Sequence, residues 1–230
     1  MSDQSRSLDV IYEDNHLLVV NKPALLPTMG VAEDRPSLLT IAKQYIKTNY
    51  HKPGNVYLGI VSRLDAPVTG VVLLARTSKA AARLTAQFRA GSVEKIYWAM
   101  VEGEVRQDAG ELADWLYKDE RHRRVHIGRP GQPNAKEARL AYRVLQRWPR
   151  RTLLEIVLET GRKHQIRVQL SQHGHPVVGD RKYGAKSGGF GPGIALHSRR
   201  LAIDHPTQNR RCKFEAPLPR SWAELGVAES

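Results

Sequence analysis

Residues 58–75 constrain the fold more than any other stretch of this chain. Leu58, Ile60 and Val61 on one side and Val71, Val72, Leu73, Leu74 and Ala75 on the other enclose Ser62-Arg63-Leu64-Asp65 and the turn residues Pro67 and Gly70. Continuous apolar runs bounded by Pro and Gly read as strands covered on both faces. The pattern predicts two buried strands joined by a turn, with the carboxylate of Asp65 at the lip of a core. Aspartates in turns commonly accept backbone N–H groups and do nothing more. Chemistry at Asp65 therefore has to be argued from the rest of the chain.

The remaining sequence supplies many short strands and few helices. Val10-Ile11-Tyr12-Glu13 and His16-Leu17-Leu18-Val19-Val20 form a hairpin about Asp14-Asn15, and Asn21-Lys22-Pro23 ends the second strand. Ser37 is a good N-cap for a helix carrying Leu38, Leu39, Ile41, Ala42, Tyr45 and Ile46. A second helix, capped by Ser78 and stopped by Gly91, places Ala81, Leu84 and Phe88 on one face. In Glu94-Lys95-Ile96-Tyr97-Trp98 the period of two sets Tyr97 opposite Ile96 and Trp98. Strand-like runs recur at 113–116, 124–127, 138–145, 152–159, 195–204 and 213–216, and 221–225 makes a terminal helical turn. A helix spanning 164–173, with Thr160 as its cap, is stopped by Gly174 and Pro176, and its start is strongly positive through Arg162, Lys163, His164 and Arg167. Gly188-Gly189-Phe190-Gly191-Pro192-Gly193 lacks a phosphate-loop pattern and reads as a connection. So many strands with so few helices argue against a doubly wound parallel sheet. The expected class is α+β, a mixed, largely antiparallel sheet flanked by a few helices, in a single domain over 1–230.

Charge narrows the partner. Of the 230 residues, 36 are Lys or Arg and 23 Asp or Glu, a net charge of +13, which attracts polyanions and releases their counterions. Nucleic acid is the first partner to consider. The densest basic patch is Arg121-His122-Arg123-Arg124, with His126 and Arg129; charge runs are often only solvated faces, but Arg121, Arg123 and Arg124 are candidates for contacting an RNA backbone. The single cysteine, Cys212, excludes an intramolecular disulfide and a cysteine-based zinc cluster. The N-terminal nine residues are polar and no apolar run reaches a membrane-spanning length, which predicts a cytoplasmic protein with no membrane partner.

Three stretches then stand together: Arg63-Leu64-Asp65; Lys95, Tyr97, Ala99, Val101 and Gly103; and Thr160-Gly161-Arg162-Lys163-His164-Gln165-Ile166-Arg167, continued by Gly179-Asp180 and Tyr183-Gly184. In this order they resemble the core motifs of the RluA-type pseudouridine synthases over residues 9–217, and several motifs in order are far more specific than one. The resemblance implies an isomerase that converts uridine to pseudouridine in structured RNA, rRNA or tRNA, without cofactor or metal. By the same resemblance Asp65 matches the catalytic aspartate and Tyr97 the tyrosine that stacks on the uracil and is implicated in removing the C5 proton. Arg167 matches the basic residue paired with the aspartate, and Ile166 lines the base pocket. Arg63 matches an arginine that fills the space of the flipped nucleotide, and Arg162 and His164 are further substrate-binding candidates.

The residue types suit that chemistry when read independently. A carboxylate that stays ionised in a pocket needs a nearby cation, and arginine serves without losing its own proton. A stacked uridine hides C1′ and C5, so the base has to leave the stack, and an aromatic face stabilises it outside. Ser62 departs from the histidine usual in the family, and Ala66-Pro67-Val68 replaces a more common charged pair followed by Thr or Ser. The chain is expected to lack an additional N-terminal RNA-binding domain and to act as a monomer. Competing readings are a non-catalytic RNA-binding protein on the same scaffold, a hydrolase with an aspartate nucleophile, whose second carboxylate is not evident, and a zinc enzyme built on His164, His173 and His175, whose spacing matches no familiar ligand pattern.

Overall fold

A computed structural model describes residues 8–30, 32, 35–186 and 190–227. Gly188 and Gly189 of the glycine-rich connection and most of the polar N-terminal stretch lie outside the described residues. The chain divides into two compact units, Met1–Val93 with Arg199–Leu218, and Glu94–Ser198 with Pro219–Ser230.

The first unit is built around the strand predicted after Asp65. β1 (Val10–Glu13) and β2 (Leu17–Lys22) form the hairpin, with Asp14 Oδ1 accepting the N–H groups of His16 and Leu17, both at 2.7 Å. β4 (Thr69–Ala75) pairs antiparallel with β2 and with the two-residue β3 (Gly59–Ile60). All seven residues of β4 are buried, as a strand covered on both faces requires. Val71, Leu73 and Ala75 pack with Leu17, Val19, Ala80 and Leu84, while Val72 and Leu74 pack on the other face with Leu18, Val20, Leu38, Ala42 and Ile46. Each face is thus closed by one helix. α1 (Leu38–Asn49) covers the second face, and its N-cap Ser37 makes a full capping box with Thr40. α2 (Ser78–Ala90) covers the first and ends on Gly91 at φ 72°, a left-handed cap that favours glycine. Its N-cap is Thr77, one residue before the expected Ser78, because the Thr77 hydroxyl is the group that reaches the Ala80 N–H. The run before Asp65 is also shorter as a strand than predicted: only β3 pairs, and 61–65 continue without ladder bonds.

The second unit is an antiparallel sheet in the order β5 (Glu94–Glu102), β9 (Arg151–Leu158), β8 (Lys136–Trp148), β6 (Ala109–Asp119), β7 (Arg124–Gly128). α3 (Gln165–Gln172) and a short 3-10 helix (Arg181–Tyr183) pack on it, with Val168 and Tyr183 against Leu116, Val125 and Ala138. α3 starts later than expected. Its N-cap is His164 in the left-handed region (φ 54°), without a side-chain cap bond, and Thr160 instead donates to Gln165 Oε1 at 2.7 Å and accepts the Arg139 N–H at 2.8 Å. β10 (Leu196–Asp204) runs from the second unit into the first, where β11 (Arg211–Glu215) pairs with it antiparallel. A 3-10 helix, Arg220–Leu225, occupies the predicted terminal turn. Few helices and largely antiparallel pairing place the chain in the α+β class. Among the described residues no helix is long and apolar enough to cross a membrane.

Candidate functional site

In the first unit, Asp65 sits half-buried at the start of a turn, its carbonyl accepting the Val68 N–H at 3.0 Å. Arg63 is exposed beside it. The residues around Asp65 are tied down from three directions. Ser62, the departure from the expected histidine, accepts the Leu73 N–H on its Oγ at 2.8 Å and so pins this loop to β4. Thr28 Oγ1 donates to the carbonyl of Leu64 at 2.8 Å and accepts the N–H of the same residue at 3.2 Å. On the far side of Asp65, Lys22 Nζ donates to the carbonyl of Ala66 at 3.1 Å, and also to Pro23 and Leu26, each at 2.8 Å. Lys22 is 0% exposed, and burial lowers its ammonium to about 7, with the Asp65 charge opposing that shift.

In the second unit, Tyr97 is half-buried on β5 opposite Ile156 of β9. Two residues earlier Lys95 donates to the carbonyl of Glu159 at 2.9 Å; burial, followed by the Arg162 charge, lowers its ammonium below the usual range. From α3, Ile166 and Arg167 are both buried. Arg167 grips Asp180 with two parallel bonds, Nε to Oδ2 at 2.6 Å and a terminal nitrogen to Oδ1 at 2.9 Å, in a pair 4% and 1% exposed. Gly179, at φ 82° and close against Phe190 and Gly193, turns the chain so that Asp180 follows; a Cβ there would lie 3.2–3.3 Å from its neighbours. The Tyr183 ring lies under the Arg167 guanidinium at 5.0 Å. Its hydroxyl accepts the Val125 N–H at 3.1 Å and lies 2.7 Å from His164 Nδ1, and burial raises its pKa. Arg162 is exposed and donates from Nε to the carbonyl of Glu137 at 2.8 Å.

The basic patch forms the turn between β6 and β7. Arg121 and Arg123 are exposed at its tip. Arg124 differs, for it is half-buried with its guanidinium 5.1 Å over the Tyr183 ring. The three histidines considered for zinc have other neighbours: His164 meets Tyr183, His173 lies 3.6 Å from Asp114, and His175 Nδ1 is 3.0 Å from the Glu102 carbonyl.

The structure therefore gathers Arg167, His164 and Arg124 about Tyr183 and Asp180, and sets Asp65 among Ser62, Thr28 and Lys22. Sequence reasoning gave no role to Thr28 or Lys22. A signal for Lys22 was present, since the period of two along β2 puts it in phase with the buried Leu18 and Val20. Thr28 carries no comparable mark.

A family model described as RNA pseudouridylate synthase matches residues 16–172. A ribosomal large subunit pseudouridine synthase D of Pseudomonas aeruginosa is 37% identical, over 96% of this chain and 72% of its own length. An uncharacterized RNA pseudouridine synthase of Bacillus subtilis is 35% identical, over 95% of this chain and 71% of its own. Among solved structures, the human RNA pseudouridylate synthase domain containing 4 superposes with a TM-score of 0.79 at 25% identity, covering 96% of this chain and 94% of that one.

Proposed function

The chain belongs to the RNA pseudouridylate synthase family and is an RNA pseudouridine synthase; from that premise we propose that it modifies uridine in a structured cytoplasmic RNA, ribosomal RNA before transfer RNA, with Asp65 as the catalytic carboxylate. The preference for ribosomal RNA rests on relatives named for the ribosomal large subunit. The observation that carries the assignment of Asp65 is its setting: a half-buried carboxylate whose two neighbours in sequence are both fixed through their backbones by side chains from 22–28.

The reaction breaks the bond from C1′ to N1, rotates the uracil, forms a bond from C1′ to C5, and moves a proton from C5, leaving one on N1. No atom is gained or lost, so the enzyme needs groups that hold charge and position, and no cofactor. Asp65 assists departure of the base at C1′, as a nucleophile or by stabilising the sugar left behind. Tyr97 stacks on the flipped uracil and acts in loss of the C5 proton. Arg167, its plane fixed by Asp180, provides the positive charge that an ionised carboxylate in a pocket requires. Ile166 supplies an apolar wall, Arg63 fills the stack vacated by the nucleotide, and Arg162 and His164 contact substrate. Arg121 and Arg123 grip phosphates from the hairpin tip.

Pseudouridine mapping of total RNA from the native host, with and without this gene and complemented by wild type or Asp65→Asn, tests the proposal. One or a few sites lost, and restored by wild type alone, are expected. Restoration by Asp65→Asn would remove Asp65 from the chemistry; no site lost in any arm would remove the proposed substrate.

A further inference from the structure

We infer that Leu25 and Met29 form an apolar surface on which the enzyme packs the unstacked base adjoining the target uridine, and that this contact helps decide which RNA is accepted. The inference rests on Asp65 being the carboxylate that meets that uridine. Leu25 stands in the left-handed region, at φ 62°, and is 62% exposed. A bulky side chain is rare there, because its Cβ crowds the following carbonyl oxygen, a cost that glycine does not meet. Burial gives nothing back: the Leu25 side chain stays largely in solvent, while its neighbour Leu26 is 2% exposed in the core with Leu38, Val72 and Leu74. Backbone strain of this kind, unrewarded by the fold, concentrates where proteins meet their ligands.

The segment that presents the two side chains lies at the candidate site. One ammonium, that of Lys22, bonds the carbonyls of both Leu26 and Ala66, and the Thr28 hydroxyl pairs with Leu64, so residues 26–28 run close to both sides of Asp65. The same stretch is anchored to the start of α1, where the carbonyls of Pro27 and Thr28 accept the N–H groups of Leu38 and Leu39 at 2.9 and 3.1 Å. Leu25 precedes this anchored stretch and Met29, 40% exposed, follows it. Both are therefore held out to solvent from backbone that borders the Asp65 loop. A uridine drawn out of its stack leaves the face of the adjacent base without a partner. That face is apolar, and leucine and the polarisable thioether of methionine suit it as apolar wedges suit opened base steps. Every base has such a face, so the contact senses whether the neighbour is free to unstack and leaves its identity unread. The occupant is thus an unpaired base of a loop or bulge in the RNA, next to the uridine that reacts.

The test is a binding cycle. The full chain is titrated with a stem-loop RNA carrying the uridine that pseudouridine mapping locates, and with two versions of it that have an abasic nucleotide immediately 5′ or 3′ of that uridine. Leu25→Gly removes the side chain and suits φ 62° without strain, so melting followed by circular dichroism is expected within about 3 °C of wild type. On the intact RNA its dissociation constant is expected to rise roughly 10-fold, the loss of burying one leucine, and on one of the abasic RNAs to match wild type within about twofold. Met29→Gln is expected to show the same pattern with a smaller loss. An affinity for intact RNA unchanged by Leu25→Gly, or a loss that persists on both abasic RNAs, would overturn the inference. Asp65→Asn is assayed for turnover alongside. Retained turnover would overturn the assignment of Asp65, whereas an inactive Asp65→Asn together with a Leu25→Gly loss indifferent to either abasic site would overturn the apolar contact alone.

Discussion

Removing Asp180 should destabilise the second unit by much more than removing any surface carboxylate. The Asp180 side chain has almost no contact with solvent and meets the buried Arg167 guanidinium through two bonds of 2.6 and 2.9 Å. Asp180→Ala leaves that guanidinium buried with the face of Tyr183, 5.0 Å away, among its remaining neighbours. Removing one partner of a buried pair costs about 3–5 kcal/mol, and the ring contact is already present with Asp180 in place, so the loss is expected at about 3 kcal/mol or more. Replacing both partners by apolar side chains of similar volume, Arg167→Met with Asp180→Leu, should recover most of it, because exchanging a buried ion pair for well-packed apolar residues is often close to neutral. Trp98, Trp115, Trp148 and Trp222, all the tryptophans of the chain, belong to the second unit. Denaturant unfolding followed by tryptophan fluorescence therefore reads this unit directly. A cost below about 1 kcal/mol for Asp180→Ala, the range of an exposed pair, would refute the reasoning, as would a double variant no more stable than the single one. The double variant carries a second expectation, that it folds yet lacks activity, since Arg167 is proposed to act in the reaction.

Other predictions follow from the same geometry. Burial tends to raise the Asp14 carboxyl, but N–H groups of His16 and Leu17 and the His205 ring hold it at about 2 against an ordinary 3.8. Because the folded value is the lower, its contribution of about 2 kcal/mol is complete above pH 3.8 and lost as pH falls towards 2. Asp14→Asn should thus cost about that much at pH 7 in urea unfolding followed by circular dichroism, with the gap to wild type closing below pH 4; a gap that widens on acidification would contradict the assignment. Neutralising Arg121 and Arg123 together should weaken RNA binding and reduce the steepness of log affinity against log salt by roughly 1–2, one phosphate contact each. An unchanged slope would show that the hairpin tip does not meet the backbone. Adding Arg124→Gln should have a different signature, a loss of stability along with any change in binding, because its guanidinium covers the Tyr183 ring.

What the sequence determined by itself is what short-range chemistry decides. The hairpin about Asp14, the capping box at Ser37, the glycine stop at Gly91 and the doubly buried strand after Asp65 were all legible, because each depends on neighbouring residues or on a period of two. The family was legible too, since its motifs are carried by residues close together in the chain. Where two local signals competed, local rules chose wrongly. Thr77 and Ser78 are both good caps, and Thr160 has the chemistry of a cap but spends it on Gln165 and Arg139, a residue far away in the chain. Long-range pairing was invisible for a further reason: the partner of a buried charge is selected by folding and leaves no spacing to read. Only the tertiary structure showed that Arg167 is gripped by Asp180, that Arg124 is drawn onto Tyr183, and that Ser62 fastens its loop to β4. The same holds for the partners of Lys22, although the period of two along β2 already put that lysine in phase with the buried Leu18 and Val20. An ammonium taken out of water is held only where carbonyls meet it, here those of Pro23 and Leu26 close by in the chain and that of Ala66, next to Asp65 and far away in it.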